Sequence, residues 1–150
     1  TGPIMTSDTL PAPYVSSADS TNTTYASFNA FTHNTYDFSA RWQSATVAYP
    51  HHIELDLGSN VVFNAFEYSG CYVGGAERGF SNYVCSASLD GISFTNLDSG
   101  TFVAGTAIDP CKPQTKTNSN TTAYRYYKLS STEGWVNNQA LITSWTLKKY

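Results

Sequence analysis

Hydrophobic and polar residues alternate with a period of two along much of the chain, and helical spacing is nearly absent. The clearest case is residues 53–57 (IELDL), which end at the turn residue Gly58. Because successive side chains of a strand face opposite sides, this alternation is typical of a half-buried β-strand. Glycine, asparagine, aspartate and proline separate the segments of this kind. The segments predicted as strands are residues 53–57, 61–68, 83–87, 92–97, 101–103, 124–129 and 141–147.

A chain built from such strands buries its apolar faces in a β-sandwich or a barrel. Phe94 is expected to point inward, in the strand that follows the hairpin turn at residues 90–91. Two stretches do not fit the strand pattern. Residues 24–31 predict one or two helical turns, and residues 109–122 predict a long exposed loop. No internal repeat or linker divides the chain, so residues 1–150 are expected to form one domain.

Composition narrows the range of functions. Only 13% of the residues are charged, 15% are aromatic, and the formal net charge is −3. Sequence-independent binding of nucleic acid needs clustered lysine and arginine, and the 8 basic residues are too few and too scattered for it. No apolar run approaches the roughly 18 residues of a membrane helix. Lipid binding is not expected either, because Lys112 and Lys116 have no adjacent aromatic residue that would enter a membrane.

Five segments carry a resemblance to a known family. They are residues 15–18 (VSSA), 30–31 (AF) with 41–44 (RWQS), 52–58 (HIELDLG), 83–91 (YVCSASLDG) and 125–129 (RYYKL). In this order they resemble the motifs of the discoidin domain, also called the coagulation factor V/VIII type C domain. Its bacterial relatives are the family 32 carbohydrate-binding modules. The resemblance covers about residues 13–148 and implies a jelly-roll β-sandwich of about eight antiparallel strands, in agreement with the all-β class that the strand pattern predicts.

The resemblance also implies where such a domain binds its ligand. Members of the family use loops at one end of the sandwich, and most of them bind sugars. Galactose-binding relatives carry an arginine and an asparagine in one loop, a histidine after the tryptophan of the second motif, and an aromatic residue in a late loop. The first three of these positions here hold Cys71, Glu77 and Gln43. The galactose set is therefore not preserved. The second-motif tryptophan packs in the core of relatives, and Trp42 is expected to do the same.

Trp135 is the best single candidate for contact with a sugar. It lies in a polar loop, residues 133–138 (EGWVNN), between two predicted strands. An aromatic ring there offers a flat apolar surface to the C–H face of a sugar, and Asn137 supplies an amide group for its hydroxyls. The alternative is that the ring forms a lid over the end of the sandwich. Trp145, within the last predicted strand, is expected to belong to the core.

A second group of candidates lies near Gly74 and Gly75. Glu77 and Arg78 form a plausible hydrogen-bonding pair there, and Tyr72 offers a flat apolar face. The alternative for Glu77 and Arg78 is a solvated surface ion pair that contributes little.

The histidines are interpreted as polar residues of loops or strand edges. His51 and His52 are adjacent in a strand and face opposite sides, so they cannot bind one metal ion together. His51 lies at the start of its strand, where it is placed to reach the ligand end. Gln43 is expected to add a further hydrogen-bonding group at that end.

A structural calcium ion is the one cofactor that the resemblance suggests. Relatives often hold it with an Asp-Gly-Asn loop, a threonine and a late glutamate, and the Asp, Thr and Glu positions here hold Thr32, Ala40 and Ser144. The donors that remain are Asn34 and Asp37. Together with backbone carbonyls they would form the cation site, because calcium takes six or more oxygen ligands. No other cofactor is expected.

No motif in the sequence supports catalysis. The chain contains neither a Gly-x-Ser-x-Gly elbow nor a His-Glu-x-x-His helix. Cys85 alternates with Tyr83 and is expected to be buried and unreactive. Cys71 and Cys111 fall in predicted loops, where they either form a disulfide or remain thiols.

The sequence therefore predicts a non-catalytic carbohydrate-binding module that recognises neutral glycans and works outside the cell, on a cell surface or on a virion. Its candidate ligand-binding residues are Trp135, Tyr72, Glu77, Arg78, Asn137, Gln43 and His51. The alternative is a structural or protein-binding domain of an adhesin, virion or appendage that keeps the fold without a sugar site. Either function is compatible with a place in a longer multidomain chain, such as a secreted glycoside hydrolase.

Overall fold

Two antiparallel β-sheets form the body of the protein. The structure is a computed structural model that describes residues 1–136 and 138–150. The larger sheet contains β1 (Val15–Ala18), β3 (His51–Val61), β7 (Asn82–Ser88), β8 (Thr95–Thr101) and β10 (Tyr124–Ser131), in the order β1-β3-β10-β7-β8. The smaller sheet contains β4 (Ala65–Ser69), β9 (Gln114–Thr117) and β12 (Ser144–Lys148), in the order β12-β4-β9. Within the described residues these two sheets hold eight strands, so the predicted all-β jelly-roll class is confirmed.

Short elements lie in the connections between these strands. β2 (Trp42–Gln43) pairs with β11 (Leu141–Ile142), and β5 (Tyr72–Val73) pairs with β6 (Ala76–Glu77). Gly74 and Gly75 form the two-residue turn of the β5–β6 hairpin with φ values of 62° and 89°, a conformation that glycine adopts without steric cost. A short 3₁₀ helix at Ser27–Phe31 fulfils the prediction of one or two helical turns.

β3 shows how alternation in the sequence produces the core. Ile53, Leu55 and Leu57 face inward and are buried, whereas Glu54 and Asp56 face outward. Side chains from both sheets fill the space between them, as burial of apolar surface requires. Trp42 and Trp145 have no exposed surface, so both predictions for these residues are confirmed. The other large side chains of the core include Phe31, Phe66, Tyr68, Phe80, Phe102 and Tyr127.

The hairpin between β7 and β8 differs from the prediction. The Asp90 carboxylate accepts hydrogen bonds from the backbone N–H groups of Ile92 and Ser93, each at 2.8 Å. These bonds keep the chain in a turn, and the next strand begins only at Thr95. The prediction that Phe94 points into the core was wrong. Its ring lies outside the core clusters, with Lys128 Nζ 3.3 Å from the ring centroid.

Two further boundaries differ from the prediction. Residues 61–68 are not one strand, because β3 ends at Val61 and β4 begins at Ala65. Residues 109–122 are not entirely an exposed loop, because they contain β9 and the buried Cys111. Non-local contacts decide both cases, and alternation within the segment does not reveal them.

The N-terminal residues belong to the same domain. The Gly2 N–H donates to the Leu147 carbonyl at 2.7 Å, and Met5 is buried in the core. The core therefore includes residues that precede the region of the family resemblance, residues 13–148. Across the described residues, we find no helix with the length and apolar character that a membrane crossing requires.

Candidate functional site

Three loops meet at one end of the sandwich around a disulfide. Cys71 and Cys111 are bonded, which settles the alternative that the sequence left open. Their sulfur atoms pack with Leu141 in a small buried cluster, and Phe38 and Val73 cover it. The cluster is separate from the main core. It joins the loop after the 3₁₀ helix, the β5–β6 hairpin and the loop between β8 and β9. Cys71 therefore has a structural role at the position where galactose-binding relatives carry an arginine.

Glu77 is buried beside this cluster and binds the backbone of two loops. Its Oε1 accepts the Gly79 N–H at 2.7 Å, and its Oε2 accepts the Gly105 N–H at 2.9 Å. Burial raises the pKa of the Glu77 carboxyl above its usual value, and the hydrogen bonds from backbone N–H groups oppose this effect. A Cβ atom at position 105 would lie 2.6 Å from Glu77 Oε2, so only glycine allows this approach.

These contacts correct the expectation for Glu77. Only 7% of the residue is exposed, and both carboxylate oxygens are occupied by backbone donors. It is therefore neither an open sugar ligand nor half of a solvated ion pair with Arg78. Its role is to hold two loops together. The sequence signal that fits this role is the set of glycines at positions 70, 79 and 105, which surround the carboxylate.

Arg78 lies half-buried between the hairpin and the loop before β11. Its Nη1 donates to Gln139 Oε1 at 3.1 Å, and its Nε donates to the Val73 carbonyl at 3.3 Å. Gln139 Nε2 donates in turn to Thr46 Oγ1 at 3.3 Å. The guanidinium is thus oriented by neutral acceptors and not by a carboxylate.

Gln43 and Tyr72 belong to different elements, Gln43 to β2 and Tyr72 to β5. Gln43 Oε1 accepts a hydrogen bond from Arg41 Nε at 2.9 Å. Tyr72 is half-buried on the β5–β6 hairpin, and its N–H donates to the Pro110 carbonyl at 2.6 Å. Neither residue lines the cleft beside Trp135 described below.

His51 does not reach the surface. The residue has no exposed area, and its Nδ1 lies 2.8 Å from Asp19 Oδ2 while its Nε2 lies 3.1 Å from the Val47 carbonyl. The Tyr49 ring covers it, with 4.6 Å between the ring centroids. The expectation that His51 reaches the ligand end was wrong, because the inward face of β3 carries it into the interior. His52 faces the other side, as expected.

Among the predicted ligand-binding residues that the structure describes, Trp135 is the most open to solvent. Its residue surface is 45% exposed, whereas the other two tryptophans are fully buried. The loop is fixed to the chain around Phe80: Gly134 forms a β-bridge with Phe80, and the Trp135 N–H donates to the Gly79 carbonyl at 3.4 Å. A Cβ atom at position 134 would clash with the Tyr49 hydroxyl, so this close packing requires glycine. Asn137, the other predicted residue of this loop, lies outside the described residues.

A cleft of about 550 Å³ opens beside the Trp135 ring, and we call it the Trp135 cleft. Its polar lining consists of Ser81, Asn82, Thr101 and Glu133, and the ring of Phe102 contributes an apolar wall. Sequence reasoning identified none of these five residues. They come from the start of β7, the end of β8 and the loop after β10, and only the order of strands in the sheet brings them together.

The side chain of Arg41 lies at the base of the loop that was predicted to hold calcium. The Arg41 guanidinium lies between two rings, 3.5 Å from the centroid of Tyr25 and 3.8 Å from that of Phe38. Its Nη1 donates to the Phe38 carbonyl at 2.7 Å. Such cation–π contacts stabilise a partly buried guanidinium and here fasten residues 32–40 to β2.

The two predicted metal ligands, Asn34 and Asp37, do lie together in this loop. Asn34 Nδ2 donates to Asp37 Oδ2 at 3.2 Å, and the Ser39 N–H donates to Asp37 Oδ1 at 2.8 Å. The hydrogen bonds from Ser39 hold the pKa of the Asp37 carboxyl below its usual value. Among the described residues, no group of three or more histidine, cysteine, aspartate or glutamate side chains is arranged to hold a metal ion. One carboxylate with both oxygens in use is a poor donor set for calcium, and the cation stays a prediction.

The fold agrees with the comparisons to known proteins. The chain belongs to the F5/8 type C domain family, whose model matches residues 14–147. No curated protein matches the sequence.

Three solved structures illustrate the similarity of fold. CpGH89CBM32-5 from Clostridium perfringens, in complex with GalNAc-β-1,3-galactose, is 20% identical with a TM-score of 0.73, over 91% of this chain and 95% of that one. The family 32 carbohydrate-binding module of C. perfringens NanJ, in complex with galactose, is 18% identical with a TM-score of 0.71, over 89% and 92%. The lectin domain of lectinolysin, complexed with Lewis B antigen, is 15% identical with a TM-score of 0.70, over 92% and 94%.

Proposed function

We propose that this domain is a non-catalytic carbohydrate-binding module, and that it binds neutral glycans at the Trp135 cleft. The observation that carries the proposal is the exposure of Trp135 at the mouth of a cleft whose lining combines polar side chains with apolar surface. An exposed tryptophan ring offers a rigid apolar face and a polar N–H, and sugars present an apolar C–H face together with hydroxyls. The bound sugars in the three similar structures support the same class of ligand.

The ligand site differs from that of galactose-binding relatives. The positions of their arginine and asparagine hold Cys71 and Glu77, and both are buried in contacts that stabilise loops. A sugar therefore binds further along this end of the sandwich, against Trp135. Asn137 is proposed to contribute from the same loop, and Arg78 to orient that loop through Gln139.

The charge of the cleft supports a neutral ligand. Among the described residues that line it, Glu133 is the only charged one. An exposed carboxylate at this place repels uronic acids and other anionic sugars. A single carboxylate in the lining also favours binding over hydrolysis, because glycosidases generally use two carboxyl groups on either side of the bond they cleave.

The proposed location is outside the cell, on a cell surface or on a virion. The disulfide between Cys71 and Cys111 supports it, because disulfides persist in oxidising environments. A structural or protein-binding role is the second candidate. It is favoured by two exposed apolar residues in the loop between β8 and β9, Val103 (61% exposed) and Ile108 (97%). A place in a longer multidomain protein suits both candidates.

A glycan array followed by calorimetric titration of the best neutral oligosaccharide tests the proposal. Trp135→Ala is expected to weaken binding by about tenfold or more, because stacking against the ring is lost. Tyr150→Ala is the matched control: it removes an exposed aromatic ring (74% exposed) close to Asn64, at the opposite end of the sandwich. The absence of binding to any glycan, or equal affinity of wild type and Trp135→Ala, would contradict the proposed function.

A further inference from the structure

A second cleft continues from the Trp135 cleft onto the outer face of the larger sheet. It has a volume of about 390 Å³, and we call it the sheet cleft. Asn82 and Thr101 line both clefts, so the two adjoin at these residues, and we call them together the groove. Both volumes lie within the usual range of small-molecule binding sites.

The register of the strands explains which side chains line the sheet cleft. Asn82 pairs with Thr101 and Val84 pairs with Ser99 across β7 and β8, and Ser130 of β10 pairs with Val84 on the other side. Directly paired residues point to the same face of a sheet. Tyr83, between Asn82 and Val84, is buried on the inner face. The outer face at this end therefore presents a surface of hydroxyl and amide groups around the Val84 side chain.

The shared residue Asn82 is held in a fixed orientation. Its Oδ1 accepts hydrogen bonds from Ser131 Oγ at 2.6 Å and from the Thr132 N–H at 3.1 Å, and its Nδ2 donates to Thr132 Oγ1 at 2.9 Å. These bonds fix the junction of the two clefts before any ligand arrives, which lowers the entropic cost of binding.

The hydroxyl groups further along the groove are available to a ligand. Within the described residues, the side chains of Ser99 and Thr101 make no hydrogen bond, and both residues are exposed on the edge strand β8. No charged residue is among those that line the sheet cleft in the described part of the chain. Uncharged hydroxyls set in a mainly apolar lining complement the alternating hydroxyl and C–H surface of a neutral sugar chain.

We propose that the ligand is an extended neutral oligosaccharide, one end of which stacks on Trp135 while the chain continues over Asn82 and Thr101 along the sheet cleft. This inference rests on the proposed function. It assigns the groove to internal sugar units as well as to the unit at Trp135, and it makes Ser99 and Thr101 contacts of a second subsite.

Titration with ladders of cello-, galacto- and N-acetylchito-oligosaccharides, from one to five units, tests the inference. For the ladder that binds, affinity is expected to rise by about tenfold or more from the single sugar to the trisaccharide and then to level off. A single sugar reaches only the Trp135 cleft, and the next units gain the contacts of the sheet cleft.

Ser99→Trp fills the sheet cleft from an exposed position on an edge strand, where an aromatic residue favours the strand. It is expected to abolish the gain with chain length and to leave the affinity for the single sugar unchanged. Asn96→Trp is the matched control, because Asn96 is exposed near the other end of β8 and pairs with Ser86 on the same outer face, away from the sheet cleft; this variant is expected to behave as wild type. Thermal denaturation of both variants verifies that they are folded.

The outcomes separate the two proposals. If Trp135→Ala weakens binding but affinity does not depend on chain length, or Ser99→Trp leaves that dependence intact, the extended groove is wrong and the function stands. If no ladder and no array glycan binds, the proposed function itself fails.

Discussion

Removal of the disulfide is expected to reduce the stability of the domain strongly. The change is the double substitution Cys71→Ala and Cys111→Ala, which opens the only disulfide among the described residues. Both cysteines are almost fully buried, so alanine keeps the site apolar and introduces no charge. Cys85, the remaining cysteine, is buried in the main core and stays unchanged as a thiol.

The magnitude follows from the length of chain that the bond closes. The two cysteines are 40 residues apart in sequence. In the chain-entropy model, closing a loop of this length lowers the entropy of the unfolded chain enough to stabilise the fold by about 4 kcal/mol at 25 °C. For a domain of this size that corresponds to a fall in Tm of roughly 8–16 °C.

Urea denaturation of wild type and double variant, each with and without a thiol reductant, measures the effect. Reduced wild type is expected to match the double variant, and reductant is expected to leave the variant unchanged. The entropic reasoning would be refuted by a double variant whose free energy of unfolding lies within about 1 kcal/mol of oxidised wild type.

Two further stability predictions concern single carboxylates. Glu77→Ala is expected to destabilise the domain by about 2–4 kcal/mol, because the buried N–H groups of Gly79 and Gly105 lose their acceptor. The control is Glu67→Ala, which removes a partly exposed ion pair with Lys148 and is expected to lower the free energy of unfolding by at most about 1 kcal/mol. Equal losses of stability for the two variants in chemical denaturation would contradict the role assigned to Glu77. Hydrogen bonds from the N–H groups of Ser93 and Ile92 lower the pKa of Asp90 from 3.8 to about 2, so its stabilising contribution is complete above pH 4 and is lost as the pH falls towards 2. Asp90→Asn removes this titrating group. The difference in stability between wild type and variant, measured as denaturation midpoints, is therefore expected to shrink as the pH falls from 4 to 2. A difference that does not change with pH would contradict the stabilising role of the Asp90 carboxylate.

Several features of the fold could be predicted from local sequence. The alternation in residues 53–57 is enough to assign the inward face of β3, because in a half-buried strand the apolar side chains face the core and the polar ones face solvent. The same reasoning predicted that Cys85 is buried, and the structure confirms it. The strand at residues 15–18 was identified from the family resemblance and coincides with β1.

The candidate site could be predicted only in part. The polar loop around Trp135 was recognised, and the exposure of its ring agrees with a platform more than with a lid. Glu77 and His51 were misjudged for one reason: their sequence neighbourhood is polar, but partners distant in sequence bury them. Gly105 lies 28 residues from Glu77, and Asp19 lies 32 residues from His51. No pattern within a short window reports such contacts.

The sequence by itself determined the fold class, the inward faces of the long strands and the neutral, polar character of the surface. These follow from local periodicity and composition, which act over a few residues at a time. Tertiary structure alone decided which polar residues are open to a ligand. Asn82, Thr101 and Glu133 line one cleft because β7, β8 and β10 are neighbours in the sheet and end at the same side. That arrangement depends on strand order and register, which are set by packing of the whole core.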